Sequence, residues 1–308
     1  MSGMDASELA LFAKSLQDTA NAHTGPALDA ALDELGWAEA LEVEPQAAIS
    51  ALFEAQGSAL ATSSSLSRVV AAGLGRADAV VVMPALDSVA PAGSATGAVD
   101  GVVLGSAFTG PVAVPMAGSV VVTDAHALNA EEVHGIDPEA GLLRITGTVA
   151  PAGEASAPWG AGVRLAHLAL GHELVGAARA MLELARQHAL TRIQFGQPIA
   201  QFQAVRHRLA DAYLAIESAA SLLEGAWLDG SPVTAGMAKA QAGRAGRTTA
   251  KHCQQVLAGI GFTTEHRHHL YVRRVLLLDQ VLGSSRTLTR ALGEQLIADR
   301  RLPDLLPL

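Results

Sequence analysis

The hydrophobic pattern divides the chain into three stretches. From Ser7 to Leu74 apolar residues recur at helical spacing, as in Leu9, Phe12, Ala13 and Leu16, with breaks at Gly25, Pro26 and Gly36. Leu52, Phe53 and Leu60, followed by the Ser63–Ser67 cluster, predict a further helix pair and its turn. The first stretch is therefore expected to be an N-terminal helical domain over residues 1–76. From Ala77 the period shortens to β-branched runs: Val80-Val81-Val82, Gly101-Val102-Val103-Leu104, Val112-Ala113-Val114, Val120-Val121-Val122 and Leu142-Leu143-Arg144-Ile145-Thr146. Glycine and proline between the runs supply turns, which predicts a small β-domain over residues 77–155. Within it, Gly93-Ser94-Ala95-Thr96-Gly97 holds alanine where a nucleophile elbow needs serine, and reads as a flexible turn.

After a linker from Pro151 to Gly162 the helical spacing returns. Leu168, Gly171, Val175, Ala178, Leu182 and Ala185 form one stripe, and Phe202, Val205, Leu209, Ala212, Ile216, Ala220, Leu223 and Trp227 form another. Gly230-Ser231-Pro232 separates the second helix from a third over Thr234–Leu257, and a last helical region covers His269–Ala298. Residues 156–308 are accordingly expected to form a C-terminal four-helix bundle, in a fold that is mainly α with a small β-domain in the middle.

Composition sharpens the picture. Half of the 308 residues are hydrophobic and only 17% are charged, so part of the apolar surface is expected to be covered in oligomer contacts. A formal charge of -9 argues against nucleic acid, which needs a basic face. Cys253 is the one cysteine, so no internal disulfide forms, and it reads as buried filler in a reducing compartment. Met1–Gln17 lack the basic start and apolar core of a signal peptide, and no stretch approaches the roughly 18 apolar residues that span a bilayer. The expectation is a soluble cytoplasmic protein with no membrane contact.

Two segments carry candidate chemistry. The first is Arg192-Ile193-Gln194-Phe195-Gly196-Gln197-Pro198-Ile199-Ala200-Gln201-Phe202-Gln203, on the connection between the first and second bundle helices. The second is Gln255-Val256-Leu257-Ala258-Gly259-Ile260-Gly261-Phe262-Thr263-Thr264-Glu265. A guanidinium at Arg192 can make parallel bonds to phosphate oxygens, although at a helix end it also suits the macrodipole. Phe202 lies on an apolar stripe, where core packing is the default. Pro198 suits a first helical turn. The glycines permit close approach of a bulky group, and equally end a helix.

Together the two segments resemble the flavin-binding signature of acyl-CoA dehydrogenases, in which both reach across a subunit interface to the FAD of a neighbouring protomer. The resemblance implies that Arg192 meets the FAD pyrophosphate and that Gln194 and Phe195 meet the adenosine half and the cofactor edge. It implies further that Ile199, Phe202 and Gln203 line the same groove, and that Gln255, Gly259 and Gly261 form the second contact. Glu34-Leu35-Gly36-Trp37 is similar to the entry of that family's N-terminal helical domain, and His269-Leu270-Tyr271-Val272-Arg273-Arg274 to one of its helix starts. His252, His266, His268 and His269 lack the spacing and partner carboxylate of a helical zinc site.

The family's catalytic glutamate is missing. The two positions where members carry it correspond here to Leu282 and Ala166; Glu173 is the nearest carboxylate downstream of Ala166, and Glu265 lies within the glycine motif rather than at the base position. Segments resembling the family's Thr-Glu-Pro-x-Ala-Gly-Ser and Trp-Ile-Thr stretches, which hold the flavin ring and the acyl-CoA, are also absent, so the β-domain is reduced. Dehydrogenation needs both an oriented carboxylate for the α-proton and a bound flavin for the β-hydride. The chain therefore resembles the short, base-lacking subunit of heterotetrameric α2β2 acyl-CoA dehydrogenases of actinobacterial steroid degradation, a branch of lipid metabolism. There the partner subunit carries the glutamate and most of the acyl-CoA site. The alternatives are a homo-oligomeric acyl-CoA dehydrogenase with a displaced base and a structural paralogue that binds no flavin.

Overall fold

In a computed structural model the chain is described over residues 4–76, 78–105, 107–150, 154–155 and 159–300. Five helices open it: α1 (Ala6–Ala22), α2 (Pro26–Glu34), α3 (Trp37–Val43), α4 (Pro45–Ala59) and α5 (Ser65–Leu74). The first is set by a capping box, in which Asp5 accepts from the backbone of Glu8 and the Glu8 side chain accepts from the backbone of Asp5. Pro26 and Pro45 start α2 and α4 at positions where a missing N–H costs nothing. Gly36 adopts φ 71° before α3, which turns Trp37 fully inward, and its indole N–H donates to the Ala48 carbonyl at 3.0 Å.

The strands follow: β1 (Val80–Val81), β2 (Met83–Pro84), β3 (Ala98–Leu104), β4 (Pro111–Pro115), β5 (Ser119–Asp124), β6 (Leu128–Glu132), β7 (Leu142–Thr148) and β8 (Glu154–Ala155). They form two four-stranded sheets in the orders β1-β4-β5-β8 and β2-β3-β7-β6, and the chain crosses between them at Val82. Only the β1–β4 pairing is parallel among these. Val82, Val99, Val103, Val112, Val114 and Ile145 make the core between the sheets. Val81, Met83, Val102 and Leu104 face the main core instead, as the alternation of side chains along a strand requires. The strand β6 escapes the hydrophobic pattern because only Leu128 of its five residues is buried.

The C-terminal part contains α6 (Trp159–Thr191), a two-residue ribbon of β9 (Ile193–Gln194) and β10 (Gln197–Pro198), α7 (Gln203–Asp229), α8 (Pro232–Leu257), α9 (His268–Gln280) and α10 (Ser285–Asp299). Helices α6 to α9 alternate in direction and make the four-helix bundle. The start of α6 meets the end of α7 through Gly171 and Leu223, and the start of α8 through His167 and Gly236. The last helical region is divided, which the periodicity did not indicate. Leu282 at φ 56° and Gly283 at φ 89° turn the chain, Ser284 caps α10, and α10 leans on α8 from outside the bundle. Half of the Pro151–Gly162 linker lies outside the described residues, and its last part belongs to α6, where Gly162 lets that helix rest on the backbone of α5. Gly57 and Gly176 do the same for α4 against α6.

The three parts meet at Arg274, a buried residue of α9. Its Nε donates to Asp137 at 2.5 Å and its Nη1 to the Ala61 carbonyl at 3.0 Å, and the Glu173 carboxyl of α6 lies 3.6 Å from Nη1. A cavity of only about 10 Å³ remains between Gln56, Ser63, Leu104, Glu173 and Arg274. Burial pushes the Glu173 carboxyl up to about 7; the Arg274 charge opposes this and the Asp137 charge adds to it.

Because the folded value lies above the unfolded one, native Glu173 holds its proton where the unfolded chain has lost it. Its contribution to stability is complete below the unfolded value near 4.5 and is lost as pH rises through about 7. Replacing Glu173 by glutamine is therefore expected to flatten the dependence of melting temperature on pH across that window. An unchanged slope would mean that Glu173 is ionised in the folded protein throughout.

Candidate functional site

At the end of α6 the chain leaves the bundle as a narrow ribbon. Gln197 pairs with Gln194 and Pro198 with Ile193, and the Ile199 N–H donates to the Arg192 carbonyl at 2.8 Å. Phe195 and Gly196 turn the ribbon, both with positive φ, at 52° and 78°. The turn holds the Phe195 ring 92% exposed, with its face edge-on to Phe202 at 6.0 Å between ring centres. Arg192 is exposed, and its guanidinium makes no hydrogen bond or ion pair with any described residue. Gln194 and Gln203 are exposed, while Ile199 packs against the bundle core. Pro198 sits in β10 ahead of the 3-10 turn Ile199–Gln201 rather than in a first α-helical turn, because the ribbon occupies the residues before it. Phe202 is the N-cap of α7 and half-buried, so the apolar stripe of that helix begins after it.

The second segment ends α8. Ala258 takes φ 52° and starts the 3-10 turn Ala258–Phe262. Gln255 is exposed, and the space around Gly259 is open, with nothing within 4 Å of where a Cβ would sit. Gly261 is buried against its own chain, where a Cβ would come within 2.5 Å of the Gln254 Nε2. Phe262 is 80% exposed, and Ile260 and Ile193 are exposed as well. Helices α6 and α8 run in the same direction, so both segments lie at one end of the bundle. His266, one residue past the second segment, acts electrostatically on His188, one turn before Arg192. Burial, His266 and Arg192 together hold His188 below the usual histidine range. The result is a rim with an unpaired guanidinium, exposed aromatic rings and a bare backbone at Gly259.

The histidines after the second segment are not arranged as ligands. The Nδ1 of His269 is 2.8 Å from the His266 carbonyl, and His268 is buried with both ring nitrogens unpaired. Among the described residues no three of His, Cys, Asp and Glu are grouped to hold a metal.

The two positions read for the missing glutamate converge at the other end of the bundle. Ala166 and Leu282 are both fully buried, and His167 Nε2, one residue after Ala166, lies 2.9 Å from the Leu282 carbonyl. The loop after β2 covers this corner. Asp87, at φ 61°, donates its N–H to the Gln280 carbonyl at 2.8 Å and accepts from the Ser284 N–H at 2.9 Å. Val89 abuts Gly283, and the Trp159 indole donates to the Val89 carbonyl at 3.1 Å. From beneath, the buried Lys239 ammonium donates to the carbonyls of Asp279 and Gly283. Burial pushes Lys239 down to about 7, against the pull of Asp279 and Asp87. Glu173 lies two turns along α6 from Ala166 and is enclosed with Arg274, while Glu265 is exposed beside the rim. Nothing in the pattern pointed to the covering loop, since a left-handed aspartate has no sequence signal of its own.

The open rim offers a cation for an anionic group and exposed rings for a planar one, while the loop at Asp87 covers the corner. Residues 162–297 match the family described as acyl-CoA dehydrogenase, C-terminal domain. The chain is 38% identical over 130 residues to the acyl-CoA dehydrogenase IpdE2 of Mycobacterium tuberculosis, covering 42% of this chain and 41% of that protein. It is 35% identical over 194 residues to the acyl-CoA dehydrogenase FadE34 of the same organism, covering 60% of this chain and 27% of that protein. The matched part thus spans less than half the length of these relatives. Over almost the whole chain the fold is similar to that of the Tcur3481-Tcur3483 steroid ACAD G363A variant, with a TM-score of 0.79, 21% identity, and 96% and 98% of the two chains covered. It is similar also to the ChsE4-ChsE5 complex from Mycobacterium tuberculosis, with a TM-score of 0.73, 19% identity, and 99% and 100% covered. N-terminal helices, a small β-sandwich and a C-terminal bundle are that fold, and residues 162–297 within it match the acyl-CoA dehydrogenase C-terminal domain.

Proposed function

We propose that the chain is one subunit of a FAD-dependent acyl-CoA dehydrogenase, and that it completes the flavin site of a partner subunit that carries the catalytic glutamate. The observation that carries this reading is the separation of the rim from the corner. Ala166 and Thr191 bound 25 helical steps of α6, a distance of about 38 Å. A flavin whose pyrophosphate rests on Arg192 cannot have its ring at this chain's own Ala166–Leu282 corner, so it belongs to another protomer. The corner itself is covered, and its carboxylates Asp87 and Asp279 are held by the Ser284 N–H and by Arg247, which leaves neither free to take a proton there.

Arg192 would bind the phosphates, with Gln194, Phe195, Ile199, Phe202 and Gln203 on one side of the groove and Gln255, Gly259 and Gly261 on the other. When bound, FAD supplies the acceptor for the β-hydride of the acyl thioester. The partner supplies the base and most of the acyl-CoA pocket, in an α2β2 assembly. The likeness in fold to the Tcur3481-Tcur3483 steroid ACAD and to the ChsE4-ChsE5 complex supports a heteromeric assembly and a bulky, steroid-like thioester. The domains are taken as residues 1–76, 77–155 and 156–308, and the protein as cytoplasmic; no described helix is long and apolar enough to cross a membrane.

A second reading has one observation in its favour. The carboxyl of Glu173, at about 7, is poised where a general base works best, which would make the chain a homo-oligomeric enzyme with a displaced base. Its enclosure with Arg274 in about 10 Å³ leaves no room for a substrate. In the assembled complex, Glu173→Gln is expected to leave turnover nearly unchanged. A loss of roughly a hundredfold or more at normal flavin content would make Glu173 the base.

The chain expressed alone is expected to be almost colourless and inactive, and to yield a yellow, active complex when co-purified with the product of an adjacent dehydrogenase gene. A yellow, active homo-oligomer would overturn the proposal, and a colourless complex would mark a structural paralogue. Within the complex, Arg192→Ala is expected to weaken flavin affinity about 10- to 100-fold per lost phosphate bond. The melting temperature of the flavin-free protein should not move. Full FAD occupancy of the variant at sub-micromolar FAD would show that Arg192 is not a ligand.

A further inference from the structure

An apolar hollow of about 410 Å³ opens at the end of the bundle opposite the rim, between α7, the start of α8 and α10. Its size lies in the roughly 300–1,000 Å³ range of small-molecule sites. Leu222, Val233, Met237, Leu288 and Leu292 make most of its wall. Two polar side chains on it keep bonding capacity that the fold does not use.

The first is His167. Its Nε2 lies 2.9 Å from the Leu282 carbonyl, which can only accept, so Nε2 carries the proton and Nδ1 is a bare acceptor. Burial, with the Lys239 charge adding to it and the Leu282 bond opposing, holds the ring well below the usual histidine range, at about 4. At neutral pH it is therefore uncharged. The Nδ1 atom is buried and has no hydrogen-bond partner, which is costly for a buried acceptor. It faces Gly236 on the wall of the hollow, where even a methyl group would stand 3.7 Å from it.

The second is Arg244. It lies eight residues further along α8, a rise of about 12 Å. The side chain lines the hollow, is exposed, and makes no hydrogen bond or ion pair with any described residue. A guanidinium free to make two parallel bonds next to an apolar wall selects a carboxylate on an apolar body.

We propose that this hollow binds an elongated apolar carboxylate bearing a hydroxyl at its far end. The carboxylate pairs with Arg244, the body lies along Leu222, Met237, Leu288 and Leu292, and the hydroxyl enters beside Gly236 to donate to His167 Nδ1. This site is distinct from the rim at Arg192 and does not depend on flavin or on the base.

The test is calorimetric titration of the full chain, alone and co-purified with its partner, using ω-hydroxydecanoate, decanoate and decanol. One ω-hydroxydecanoate should bind per chain in both preparations. Decanoate should bind about 5- to 10-fold more weakly, for the lost hydrogen bond, and decanol more weakly still. Arg244→Gln should bring ω-hydroxydecanoate down to the level of decanol, and His167→Phe should remove the preference for the hydroxyl. Should His167→Phe fail to fold, Gly236→Ala, which a helix accepts readily, narrows the approach to Nδ1 and should reduce the same preference. Equal affinity for the three probes, or indifference to Arg244→Gln, would reduce the hollow to a non-selective apolar surface and overturn the proposal. Binding to the chain alone but not to the complex would assign the hollow to a partner's side chain and overturn it too, as would no binding in either.

Discussion

The buried guanidinium of Arg274 holds the architecture together. Taking a charge out of water is expensive unless it is paired and its remaining protons find acceptors. Here Asp137 supplies the pair, the carbonyls of Ala61 and Leu60 take further protons, and Glu173 approaches from α6. Each partner comes from a different part of the chain, so no part can tilt without leaving the charge uncompensated. One arginine cannot offset two carboxylates in so dry a place, and Glu173 retains its proton to neutral pH.

The loop after β2 is held over the α9–α10 corner by bonds of its own. Asp87 occupies a conformation that residues other than glycine seldom adopt, and it is held there by two backbone bonds to the corner it covers. Lys239 pins the same corner from inside through the carbonyls of Asp279 and Gly283. Its ammonium is buried, and Asp279 in turn pairs with Arg247 and accepts from the Ser285 N–H at 3.1 Å. The charged groups at the corner are thus engaged within the chain, while His167 Nδ1 beside it keeps no partner. Such a corner is a hinge locked by its own polar groups.

Much of this was legible in the order of residues, and the reason differs from place to place. The change of period at Val80 and its return at Leu168 mark the small β-sandwich, because the two spacings are incompatible on one element. Gly230-Ser231-Pro232 ends one helix and starts the next by cap chemistry alone. The split at Leu282 was missed, since a leucine with positive φ is imposed by tertiary packing and the local sequence reads on as helix. The strand β6 was missed because it lies at a sheet edge and buries one side chain. At the rim, the sequence placed Arg192 on a connection between two helices but did not indicate the ribbon. The exposure of Phe195 and Phe262 on one edge is a property of three-dimensional placement.

The distribution of apolar surface gives the half-hydrophobic composition its physical meaning. Inside the bundle the residues at the seams are small, with Ala238, Ala242, Gly243 and Gly246 on α8 and Ala166, Ala169, Gly176 and Ala177 on α6. These let helices approach closely without large side chains between them. Large apolar groups are correspondingly pushed outward, to Phe195, Phe262 and Ile193 at the rim and to Leu214 and Leu228 on α7. A monomer gains nothing from holding aromatic rings in water on a strained turn such as that at Phe195. The chain thus closes its corner with polar bonds and leaves Arg192, Phe195 and Phe262 exposed at its rim.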